Sequence, residues 1–150
     1  MTTLSELLGN DAEKLAQSNI SVGDVFRINM GRDTGIIPKA GDESRHKFFI
    51  ILGFDENGNA YGGVIINSRI NSKIPYEAQM LHMPISKDKY DFLSHNSFVD
   101  CSELMAVQKA KVATWRYLGH IGDDDVELIT ETIKSSPFES EARLAQYGIL

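Results

Sequence analysis

The chain is short of cysteine, of proline, of positive charge and of long apolar runs. It has one cysteine, Cys101, and four prolines in 150 residues. A single cysteine excludes an internal disulfide and fits a reducing compartment. Its neighbours Asp100 and Glu103 would raise a thiol pKa, so Cys101 reads as a small buried hydrophobe, not a nucleophile. No apolar run is long enough for a membrane-spanning helix. Met1-Thr2-Thr3-Leu4-Ser5-Glu6 lacks the basic and apolar regions of a secretory leader, so a cytoplasmic location is expected. The four histidines show no ligand spacing and there is no cysteine pair, so neither a metal site nor a cofactor is expected. Gly31-Arg32-Asp33-Thr34-Gly35 is not a phosphate-binding P-loop, since no Gly-Lys-Ser/Thr follows. No Gly-x-Ser-x-Gly elbow is present. The net charge of −6 argues against bulk attraction to nucleic acid but leaves room for a local basic site.

Apolar content of 42% and charged content of 24% are those of an ordinary globular protein, and the length allows one domain with a core. Leu4, Leu7, Leu8, Ala12 and Leu15 follow helical spacing, which predicts a helical extension over residues 1–21. The domain proper is expected at 22–150. Residues 25–30 alternate apolar and polar, as a half-buried strand does. Lys47 to Gly53 is a continuous apolar run after its first residue and predicts a central strand. Asn57-Gly58 then predicts a hairpin, returning along Ala60 to Asn67. Gly62-Gly63 inside that return strand signals a bulge or a close backbone approach. Further strands are expected over 78–85, 97–101 and 111–118, with a brief pairing at Ala106-Val107. Asp123 reads as the N-cap of a helix whose inner face carries Val126, Ile129 and Ile133. Asp124 and Asp125 suit the positive end of its dipole, and Lys134 the other. Pro137 ends it. Short strands with a helix at each end predict a mainly β, α+β architecture, an SH3-like small β-barrel with terminal helices.

Charge is uneven. Residues 27–47 hold Arg27, Arg32, Lys39, Arg45 and Lys47 against Asp33, Asp42 and Glu43, and the C-terminal third is acidic. Arg45-His46-Lys47 therefore sits at the lip of the central strand beside a polar loop, a place suited to holding a phosphate. A solvated surface, or cations guarding a strand edge, is the competing reading.

The order of parts resembles the PemK/MazF family of toxin ribonucleases. Gly23-Asp24-Val25-Phe26 is similar to that family's opening strand, Phe48 to Leu52 to the strand after its basic pair, and Ser97 to Cys101 to a later buried strand. Tyr117 to Ile121 before an acidic helix is similar to its closing strand. The family's Arg-Pro is replaced by Arg45-His46-Lys47-Phe48, so either Arg45 or Lys47 stands at the catalytic position. The resemblance implies metal-independent cleavage of single-stranded RNA by attack of the ribose 2′-OH, with neutralisation by an antitoxin protein and dimerisation in many members. That chemistry needs a base, an acid and a cation. Arg45 is the first candidate for the cation, because its planar fork matches phosphate. Lys47 is the second, on the same strand face. Ser68 is the candidate contact to phosphate or 2′-OH, against an ordinary turn residue. His46 is a candidate proton shuttle, against a structural histidine, and it alternates to the other face. Arg27, Arg32, Asn67 and Arg69 are candidate RNA contacts. Trp115 and Tyr117 are either base-stacking residues or core packing. His82 is expected to point outward from a strand, with His95 and His120 at loop or strand ends. The alternatives to a ribonuclease are a non-catalytic barrel binding a peptide or nucleic acid, and a structural partner subunit docking through its acidic tail.

Overall fold

The computed structural model describes residues 20–30, 45–109 and 115–150. The expected N-terminal helix lies outside the described residues, as do Arg32 and most of the polar loop before the second strand. Among the described residues seven strands form one antiparallel sheet: β1 (Asp24–Met30), β2 (Arg45–Phe54), β3 (Ala60–Asn67), β4 (His82–Ile85), β5 (Ser97–Asp100), β6 (Met105–Gln108) and β7 (Arg116–His120). Three helices among the described residues accompany them, α1 (Tyr76–Gln79), α2 (Asp123–Lys134) and α3 (Glu141–Gln146). The sheet runs β4-β5-β3-β2-β1-β7, and β6 joins β3 beside β5. The outer edge of β3 is thus shared, with Ala60 to Gly63 on β6 and Ile66-Asn67 on β5. Among the described residues the path runs from β4 to β7 without closing on itself.

Both faces of the sheet are covered, which is why β2 has no polar alternation over residues 48–52. On one face Val25, Ile50, Val64, Ile66 and Val99 meet Ile129 and Ile133 of α2 and Leu144 of α3. On the other, Phe26, Ile28, Phe49, Ile51, Tyr61 and Val107 pack with Trp115. Trp115 sits within 5.6 Å of both the Phe26 and Tyr61 rings, so it is core. Tyr117 stays exposed on the edge of Phe26.

The hairpin and the glycine pair behave as expected. Gly58 turns the chain at φ +70° and donates to Asp55 O. β2 and β3 shift register between Ile51 and Gly53, opposite Gly62-Gly63. A Cβ on Gly63 would lie 2.0 Å from Ile50 O, and one on Gly62 would lie 2.7 Å from the Tyr147 ring.

Three expectations change. Residues 78–85 are not one strand: Pro75 starts a single helical turn at 76–79 and β4 begins only at His82. Pro75 is the N-cap, its backbone extended at ψ 146°, and Gln79 Nε2 holds the turn by donating to Ile74 O at 2.9 Å. The last strand is described over Arg116–His120 and so runs past the expected end at 118 to include Gly119, while 111–114 lie outside the described residues. Asp123 is the first helical residue, and Gly122 is the N-cap with no side-chain cap bond. The acidic turn is instead tied from outside. Lys89 Nζ lies 2.9 Å from Asp124 Oδ2 and 3.0 Å from Asp125 Oδ2, and Tyr90 OH donates to Asp125. These bonds raise the Lys89 pKa and lower that of Asp124.

Candidate active site

The apolar run of β2 fixes its middle in the core, so its first residues are left at the sheet margin. Register then decides their neighbours. Phe48 pairs with Ile66, which sets Lys47 level with Asn67 at the end of β3. Lys47 Nζ donates to Asn67 Oδ1 at 2.9 Å. An ammonium only donates, so the amide nitrogen of Asn67 is turned away and remains a donor. Beyond Asn67 the chain leaves the sheet as Ser68-Arg69, both exposed.

Two clefts meet at this point. The smaller, about 210 Å³, is bordered by His46, Lys47, Phe48, Ser68, Leu93 and His95. The larger, about 580 Å³, is bordered by Lys47, Asn67, Ser68, Arg69, His82 and Asp100. Lys47, Asn67 and Ser68 line both. His46 and Lys47 are consecutive in the strand, pairing with Asn29 and Ile28, yet both border the smaller cleft. Five of the expected site residues, His46, Lys47, Asn67, Ser68 and Arg69, are therefore brought together. Arg45 opens β2 opposite Met30. Arg27 is not part of either cleft; it is exposed in mid-β1, opposite Phe48 and Arg116.

Two residues of the larger cleft were not anticipated. His82 is a correction: it is buried, its side chain only 2% exposed. Its Nδ1 donates to Ala78 O at 2.9 Å, a bond made available by the helical turn that replaces the expected strand. Asp100 is its cross-strand partner. Nothing local in the sequence marks this pair, since 18 residues separate them and only β4–β5 pairing joins them. His120, at the end of β7, binds Asp24 Oδ1 at 2.9 Å and serves to hold the start of β1. Cys101 is fully buried. Burial first, and the Asp100 charge second, push its thiol up to about 12, so it supplies no thiolate.

A family model for PemK-like, MazF-like toxins of type II toxin–antitoxin systems matches residues 21–136. The chain belongs to this family. Compared with curated proteins one by one, it matches none. Membership in this toxin family implies an antitoxin partner, and the antiparallel, mainly β architecture is consistent with it. The matched span contains every residue of the two clefts. It stops short of α3, although Leu144, Tyr147 and Ile149 are part of the core. No helix among the described residues is long and apolar enough to cross a membrane.

Proposed function

We propose that this toxin is a metal-independent endoribonuclease acting on single-stranded RNA, on an SH3-like barrel spanning residues 22–150. The observation that carries the reading is the Lys47–Asn67 pair, with Ser68 beside it, at the junction of two open clefts in the family-matched segment. In this reading the ribose 2′-oxygen forms a bond to phosphorus and the bond to the 5′-oxygen breaks. The proton of the 2′-OH passes to a base and another is returned to the leaving oxygen, leaving a cyclic phosphate and a 5′-hydroxyl end. Arg45 and Lys47 carry the charge that builds on the phosphoryl oxygens. Ser68 and the Asn67 amide position the phosphate, and His46 exchanges protons at the rim of the smaller cleft. Arg69 extends the contact to the next phosphate, and Arg27 and Arg32 contribute to RNA attraction. A cytoplasmic antitoxin would silence the protein by covering the basic cleft, and self-association as a dimer fits the same reading.

Induced expression in a bacterial host tests this, with wild type beside Arg45→Ala and Lys47→Ala and total RNA mapped for new 5′-hydroxyl ends. Growth arrest with discrete cuts, lost in the variants, is expected. Normal growth and unchanged RNA from folded wild-type protein would instead favour a binding barrel without catalysis.

A further inference from the structure

The larger cleft is bordered by acceptors, His82 and Asp100, as well as by the cations Lys47 and Arg69. Strand pairing puts Lys47 level with Asn67, Asn67 opposite Phe98 and Asp100 opposite His82. Lys47, Asn67, Asp100 and His82 therefore line one face of the sheet. Asp100 lies two strands across and two residues along from Lys47, roughly 10–12 Å away by strand spacing. That is the span from a nucleotide's phosphate to the edge of its base. The segment carrying Asn71 and Ile74, which border the same cleft, is held by its own bonds: Lys73 N donates to Asn71 Oδ1 at 2.9 Å, and Gln79 Nε2 to Ile74 O at 2.9 Å.

The polar atoms that His82 and Asp100 present are acceptors. A carbonyl can only accept, so the His82 Nδ1 that meets Ala78 O carries the hydrogen. The neutral ring then has its lone pair on Nε2. Asp100 Oδ1 is saturated by Ser102, accepting from its backbone N–H at 3.0 Å and its hydroxyl at 2.6 Å. His82 Nε2 stands 3.8 Å from that oxygen. Among the described residues, no hydrogen bond reaches Nε2 or Asp100 Oδ2. The buried imidazole of His82 and the part-exposed carboxylate of Asp100 thus border the cleft that Lys47 and Arg69 also border.

We propose that the His82–Asp100 border of the cleft is a base-selecting subsite, which takes a nucleobase bearing an amino group on its Watson–Crick edge and rejects uracil. The inference rests on the ribonuclease reading for its substrate class. An exocyclic amine gives two hydrogens to two acceptors. Uracil presents O4 and O2 on either side of N3–H, which sets carbonyl oxygens against the Asp100 carboxylate. Buried acceptors left facing acceptors are what make such a site discriminate. Cytosine and uracil have nearly the same size and stacking surface, so they isolate this term.

The test is binding of short oligocytidylate and oligouridylate, each methylated at every 2′-oxygen so that no cleavage occurs, by fluorescence anisotropy. Wild type should bind the cytidylate about tenfold more tightly. Asp100→Asn keeps an oxygen for Ser102 but places an amide N–H where Oδ2 was, and should bring the two affinities within about threefold. An oligomer of 2-pyrimidinone, which lacks the amine, should lose the wild-type preference whatever the variant's folding. Equal binding of cytidylate and uridylate by wild type would overturn the proposal, as would a preference unchanged in a folded Asp100→Asn. Selective binding with no cut in unblocked RNA would leave the subsite standing and remove the ribonuclease reading instead.

Discussion

Replacing Gly53 by alanine tests how the C-terminal segment is held. A Cβ at that position would lie 2.0 Å from Tyr147 O and 3.1 Å from both Tyr147 C and Ile149 Cγ1. The first contact is backbone on backbone, so no side-chain rotation relieves it. The segment after α3 must retreat by about an ångström or more, and Tyr147 O is also the acceptor for Phe54 N at 3.0 Å. Losing that bond costs about 1 kcal/mol. Overpacking against Tyr147 and Ile149 adds about 1–3 kcal/mol. The sum, about 2–4 kcal/mol, lowers Tm by on the order of 10 °C in a chain of this size. Urea unfolding should show a lower midpoint, and amide exchange should quicken at Phe54 and Ile149 before the central strands. Gly58→Ala is the control, since its Cβ finds only Lys109 Nζ at 3.9 Å and meets strain from φ +70° alone, about 1 kcal/mol. Gly53 lies six residues along β2 from Lys47, roughly 20 Å by strand rise, so any RNA cleavage by the folded fraction should persist. A Gly53→Ala protein as stable as wild type, or one whose exchange rises uniformly, would refute the assignment of Tyr147 to this contact.

Asn67→Asp would convert the acceptor of the Lys47 bond into a carboxylate beside the phosphate position; a charge near 6 Å in a partly screened site opposes the transition state by a kcal/mol or more, so single-turnover RNA cleavage should fall about tenfold while stability holds. Cys101, with its thiol pushed up to about 12, should react with a thiol reagent at pH 8 about a thousandfold more slowly than a free cysteine, and stopped-flow labelling should track unfolding; fast labelling of native protein would contradict its burial. Because that pKa is raised in the fold, the contribution is intact below the unfolded value near 9 and is lost as pH climbs from there toward 12, visible as falling Tm. The Tyr61 hydroxyl is buried with no hydrogen-bond partner among the described residues, so Tyr61→Phe should leave the urea midpoint unchanged or raise stability by about 1 kcal/mol. Lys89→Met should lower Tm more at low than at high salt. The raised Lys89 pKa and lowered Asp124 pKa make that tie present across neutral pH, weaker as pH falls through the Asp124 value or rises beyond the ordinary lysine range.

Local chemistry wrote much of this protein into its sequence. The run from Phe48 to Leu52 signals a central strand, Asn57-Gly58 signals a tight return, and Val126, Ile129 and Ile133 mark the inner face of α2. Those signals are periodic or steric, and each is complete within a dozen residues. Arg45-His46-Lys47 is basic in the sequence itself, whereas Ser68 followed only from the family resemblance; the β2–β3 hairpin is what sets Lys47 beside Asn67. Pairings across longer separations were not legible. The cap of α2 depends on Lys89 and Tyr90, 35 residues away from the aspartates they hold. His82 looked like an outward strand residue until a turn at Pro75 supplied a carbonyl for its ring and β5 set Asp100 beside it. The sequence by itself determined the long strands β1 to β3 and the tight return between β2 and β3, since those follow from side-chain period and backbone sterics. The tertiary structure alone decided which acceptors face the cations across one cleft, because strand order in a sheet depends on non-local pairing that no single segment encodes.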